Sequence, residues 1–170
     1  MAAPSSTVPG SAASNSGPNP TTTYADALKY AKEVVAEAAT LLQEMPAEVV
    51  PIVGNVCKTF LAFKQLVEKA ESNKGALSTL LQMCDIVVKH VLDARTDRPG
   101  LPKSGFTQLG EHVCKAEEVA KLCNGVRKRD RAKRFVLARK ISQDIAAIRE
   151  DVLAFCALNN IAVAVDTHVS

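Results

Sequence analysis

The sequence predicts an all-α fold: an up-and-down helix bundle with a four-helix core and one additional N-terminal helix. Three observations lead there. Apolar residues recur at alternating spacings of three and four along five separate stretches, the mark of one buried helix face. The 47% hydrophobic content is mostly Ala, Val and Leu, aromatics reach only 4%, and Trp is absent. A β-sandwich or a nucleotide-stacking domain would carry more aromatic surface. No stretch shows convincing strand alternation, although Ile161 to Val165 has local β-branched content. The 170 residues fit one domain plus a tail.

Residues 1–22 are Ser, Pro, Gly, Ala, Asn and Thr with almost nothing to bury, which predicts a disordered leader ahead of a bundle domain over 23–167. Thr23 is a candidate N-cap, with Asp26 in the first turn that follows. One helix is expected from Tyr24 to Met45, with Leu28, Ala31, Val35, Ala38, Leu42 and Met45 on its stripe. Pro46 and Pro51 bracket a short break. A second helix starts near Ile52 and carries Val53, Val56, Phe60, Phe63, Val67 and Ala70. Ser72-Asn73-Lys74-Gly75 reads either as a turn or as part of a longer helix. The third stripe holds Leu77, Leu80, Cys84, Val87 and Val91, with Leu81, Val88 and Leu92 on adjoining rows. Asp97 to Pro102 is a loop by its Pro and Gly content. A fourth helix is expected from about Ser104 to Cys123, with Ser104 and Thr107 both plausible caps and Asn124-Gly125 ending it through a left-handed backbone. The last helix begins near Phe135, carries Ala138, Ile141, Ile145, Ile148, Val152 and Phe155, and fades after Asn159. The expected core is Leu28, Val35, Phe60, Phe63, Leu81, Cys84, Val88, Val113, Ile141, Ile145, Ile148 and Val152.

Motifs for chemistry are scarce. The three histidines, His90, His112 and His168, do not sit in a ligand-like cluster, so no metal or other cofactor is expected. The glycines form neither GxGxxG nor a P-loop, and no acid/base carboxylate pair is discernible, so the chain reads as non-enzymatic, with no catalytic residue assigned. Five cysteines, Cys57, Cys84, Cys114, Cys123 and Cys156, lack CxxC spacing and fall on or beside apolar stripes. They are expected to be buried thiols, which favours a reducing compartment. No secretory leader, myristoylation signal or prenylation Cys is recognised, and no apolar run reaches about 18 residues, so a soluble chain is expected.

The strongest departure from a plain bundle is a run of charge. Arg127, Lys128, Arg129, Arg131, Lys133, Arg134, Arg139 and Lys140 stand against Asp130 alone, a net of +7 in a chain whose total is +3. The remainder therefore sums to −4, and a basic patch is attached to a mildly acidic body. Such a patch attracts anionic lipid head groups or nucleic acid. The plainer alternative is a solvated loop and helix start.

Val50-Pro51-Ile52-Val53-Gly54 opening a helix, and the helix junction from Val67 to Lys74, carry a resemblance. So do the basic connector from Cys123 to Arg134 and the helix from Ile141 to Phe155, ending in Ala157-Leu158-Asn159-Asn160. Over 50–166, about two-thirds of the chain, the sequence resembles the N-terminal four-helix bundle of mixed lineage kinase domain-like proteins. Related bundles are the HeLo and HeLo-like domains of fungi and occur in plant cell-death and immune-receptor proteins. The resemblance implies a cell-death or innate-immune bundle that oligomerises, meets anionic membrane lipid through basic residues and perturbs the membrane. Carried onto this sequence, lipid contact falls on Arg127, Lys128, Arg129, Arg131, Lys133 and Arg134. It also implies a cytoplasmic protein recruited to the plasma membrane, and a kinase-like or nucleotide-binding domain as a downstream partner. The Tyr24–Met45 helix departs from the family's four-helix core. It is an effector helix, a lid, or a fifth packing helix, with the last favoured. A non-enzymatic interaction adaptor is the alternative function. Nucleic acid is the least expected partner, given few aromatics for stacking and no groove-reading motif.

Overall fold

The computed structural model describes residues 24–92, 101–125 and 131–161. These form six helices: α1 (Tyr24–Val34), α2 (Ala38–Glu44), α3 (Val50–Lys69), α4 (Lys74–Val91), α5 (Lys103–Gly125) and α6 (Arg131–Leu158). No strand occurs among the described residues. The expected leader and the Thr23 cap lie outside them, as does most of the 97–102 loop.

Helix boundaries follow local chemistry at some ends and tertiary packing at others. Pro51 sits in the first turn of α3, where its missing N–H costs nothing. The Ser72–Gly75 alternative resolves as a turn: Asn73 adopts φ 54°, a left-handed conformation that Asn tolerates, and its carbonyl accepts from the Leu77 amide as α4 begins. Two boundaries differ from expectation. The single Tyr24–Met45 helix is broken at Val35-Ala36-Glu37 into α1 and α2. No Gly or Pro marks that break. The β-branched Val34-Val35 pair weakens the helix only mildly, and across the break Ala38 N–H bonds to the Val35 carbonyl at 3.1 Å. The Asn124-Gly125 end is not left-handed, for no described glycine has positive φ. Gly125 is the last residue of α5, and the Asn124 side-chain amide donates instead to the Leu66 and Ala120 carbonyls, both at 3.0 Å. Ser104 and Thr107 both lie inside α5, and the Pro102 carbonyl accepts the first amides of that helix. The left-handed residue that closes a helix is Asn160, with Ile161 N–H bonded back to Cys156 and Asn160 N–H to Ala157.

Contacts at the two ends of the bundle set the helix directions. Lys103 Nζ lies 3.5 Å from Glu48 beside the start of α3, while Asn124 binds Leu66 near its end, so α3 and α5 run parallel. Lys115 faces Asp151 at 3.9 Å and His112 faces Phe155, so α6 runs antiparallel to α5. The tight 70–73 turn reverses the chain between α3 and α4. Successive core helices thus alternate in direction, yet their spatial order is not their chain order. Around the ring come α3, α4, α6 and α5. The consecutive helices α4 and α5 face each other across the diagonal with little contact. Outside this ring α1 packs on α3, and α2 on α1.

Phe60, Phe63, Cys84, Val88, Val113, Ile141, Ile145, Ile148 and Val152 are buried, as expected. Leu28, Val35 and Leu81 are only half-buried at the edge of the core. In α1 the reason is close approach: Ala27 and Ala31 face the core instead, moving the larger Leu28 to the flank. In α4 Leu80 takes the central position beside Leu81. All five cysteines are free thiols. Burial pushes Cys57 and Cys84 up to about 12, and also raises Cys123 and Cys156. Cys114 is half-buried.

A stability prediction follows from α4. Gly75 lies in its first turns with helical backbone and open space around the position of an added Cβ. Gly75→Ala should therefore stabilise the fold by about 0.4–1 kcal/mol, by narrowing the unfolded ensemble. Urea unfolding followed by circular dichroism checks it; a lower midpoint would contradict it.

Candidate functional site

Helix α6 begins at Arg131, one turn earlier than the Phe135 start expected from periodicity. Of the predicted lipid-contact residues, Lys133 and Arg134 are exposed in its first turn. Arg131 opens the helix, with its side chain outside the described residues, as are Arg127, Lys128 and Arg129 altogether. Lys115 opposite Asp151 and His112 opposite Phe155 fix the register of α6 on α5. Continuing that register brings Gly125 level with Ile141. The part of α6 before Ile141 therefore runs past the end of α5, by about 15 Å at 1.5 Å per residue.

One side of this extension faces the α3–α4 turn. Ser72 and Asn73 from the turn, with Arg134, Phe135, Leu137, Ala138 and Ile141 from α6, line a groove of about 340 Å³. Ser72 is itself tied down, its hydroxyl donating to the Cys123 carbonyl at 3.4 Å. The other side faces solvent. Phe135, at the rim of the groove, is still 77% exposed and Val136 is 71% exposed, and Arg139 and Lys140 are exposed beside them. At 100° per residue Phe135, Arg139 and Val136 fall within an arc of about 100°, with Lys140 and Lys133 continuing past Val136. The structure thus brings Lys133, Arg139 and Lys140 together with two large apolar side chains. Sequence reasoning assigned no role to Phe135 and Val136. Stepping back along the stripe from Ile141 lands on Ala138 and Arg134, so Phe135 is off the core face, and that offset was the available signal.

The charge arrangement opposes local helix preference. The first turn of α6 contains no acidic residue and holds Arg131, Lys133 and Arg134. A helix N-terminus carries about +0.5 of a charge, so each cation there costs on the order of 0.3–1 kcal/mol. No carboxylate among the described residues pairs with Arg134, Arg139 or Lys140. Dipole and side chains together concentrate positive potential on the projecting end. Conflicts between local preference and fold are expected where a segment serves a function.

Elsewhere the described residues offer less. No group of three or more His, Cys, Asp or Glu among them is placed to hold a metal ion. No helix among them is long and apolar enough to cross a membrane. His112 is buried at the α5–α6 seam, its ring edge-on to Phe155 at 5.9 Å, and its Nδ1 has no hydrogen-bond partner. Burial lowers its pKa, Asp151 opposes that, Lys115 adds to it, and Glu111 opposes it. The folded state therefore prefers the neutral ring, while the unfolded chain takes up a proton near 6.5. Stability from this residue is complete above that pH and is lost as pH falls from there through the lower folded value. Thermal midpoints should drop more steeply with acid for the parent than for His112→Gln. Equal slopes would place the acid sensitivity elsewhere.

No family model matches the chain, and neither does any curated protein or solved structure. The likeness to mixed lineage kinase domain-like bundles therefore stands on the sequence features alone.

Proposed function

We propose that the chain is a non-enzymatic, membrane-targeting helical bundle that engages anionic lipid, with a cell-death or innate-immune output. The observation that carries the lipid-binding part is the projecting start of α6, where cations are exposed together at the positive end of a helix. Each Lys or Arg near an anionic surface contributes on the order of 1 kcal/mol, so the set recruits the protein without a lipid anchor. The cell-death output and oligomerisation on the membrane rest on the family resemblance. In this reading the protein resides in the cytoplasm, moves to the plasma membrane on activation, and works alongside a kinase-like or nucleotide-binding domain.

Co-sedimentation with vesicles of graded phosphatidylserine content tests the proposal. Bound protein should rise with anionic content and fall as ionic strength increases from low to physiological, where the Debye length is about 8 Å. Binding that ignores lipid charge would favour the adaptor function instead.

A further inference from the structure

We infer that Phe135 and Val136 enter the boundary between head groups and acyl chains of an anionic bilayer, making the start of α6 a two-part membrane contact in which cations recruit and apolar side chains insert. The inference rests on the proposed lipid binding and adds residues and a mode of contact to it. Phe135 and Val136 are the most exposed large apolar side chains on the described part of the molecule apart from Leu158. They lie on successive positions of a helix that has left its neighbour α5; Phe135 borders the groove beside Ser72 and Asn73, yet both side chains stay largely open to solvent. Isolated exposed apolar residues need no explanation. These two differ because Arg139 lies between them on the helix surface, with Lys140 and Lys133 alongside. That charge complements a surface that is anionic at its face and apolar just beneath, which is the order in which a bilayer presents itself. A protein groove would bury the cations with the Phe ring and would need matching carboxylates. Leu158 supplies an internal contrast, being equally exposed at 77% but at the opposite end of α6.

The absence of Trp makes the inference directly testable, since Phe135→Trp and Leu158→Trp each place a single, selectively excitable tryptophan in the full chain. With phosphatidylserine–phosphatidylcholine vesicles, Phe135→Trp emission should move to shorter wavelength and be quenched by bromines on the acyl chains. Leu158→Trp should show neither effect. The double variant Phe135→Ser, Val136→Ser should keep its helical circular dichroism yet partition onto the vesicles about tenfold less at physiological ionic strength. Co-sedimentation with an unshifted, unquenched Phe135→Trp signal would overturn insertion and leave lipid recruitment standing. No co-sedimentation of the parent would overturn both. An equal shift on duplex DNA, without acyl quenching, would overturn insertion in favour of a nucleic-acid surface.

Discussion

Neutralising Arg127, Lys128, Arg129, Arg131, Lys133 and Arg134 together to Gln should abolish most binding to anionic vesicles while leaving the bundle folded. Six cations at about 1 kcal/mol each correspond to a loss of more than about a thousandfold in partitioning. The fold has little at stake at Lys133 and Arg134, which are exposed, because surface charges contribute about 0–1 kcal/mol even when paired. Replacing cations in the first turn of α6 removes an unfavourable interaction with the helix dipole, so the thermal midpoint should hold or rise slightly. Vesicle co-sedimentation of both proteins, with circular dichroism of each, reads out the two effects separately. A variant that binds as tightly as the parent would reduce the patch to a solvated face and make the adaptor function the better account.

The second large effect concerns the core. Phe63 is fully buried on α3, the helix that touches α1, α4 and α5 together. Phe63→Ala should cost about 3–5 kcal/mol, the lost transfer energy of the ring plus the cavity it leaves. Set against a typical domain stability of about 5–15 kcal/mol, that is a large fraction of the total. Urea unfolding should show a much lower midpoint, or no folded baseline at all. A loss under about 1 kcal/mol would mean that the surroundings collapse into the space, contrary to the close packing of α3 between three neighbours.

The last helix was the most legible element because Ile141, Ile145, Ile148, Val152 and Phe155 repeat without interruption, and all five are buried. Its start at Arg131 lies one turn before the one periodicity predicts, for a physical reason. Periodicity reports burial, and the helical residues from Ala132 to Val136 are exposed. The break between α1 and α2 left no punctuation to read, since Val35-Ala36-Glu37 is compatible with helix and its apolar spacing runs straight through. The choice of Asn73 over Asn124 as a left-handed residue was also hidden. Either could adopt that backbone; Asn73 does, whereas the Asn124 side chain bonds across to Leu66 and back to Ala120. Spatial order was out of reach as well: five stripes each ask for partners, and nothing in a stripe says that α5 pairs with α3 rather than with α4. For the site, charge density marks the basic end, whereas the exposure of Phe135 and Val136 follows from the projection of α6 past α5, which no local sequence feature encodes.

The thiols in the core give this bundle a clock. Cys57 and Cys84 are buried and held near 12, so in the closed bundle they are protonated and out of reach of alkylating reagents. Their labelling rate measures how often the helices part. On vesicles the same rate separates two modes of action. Unchanged labelling describes a bundle that docks as a rigid body, whereas fast labelling describes helices that separate on the lipid and expose their apolar faces.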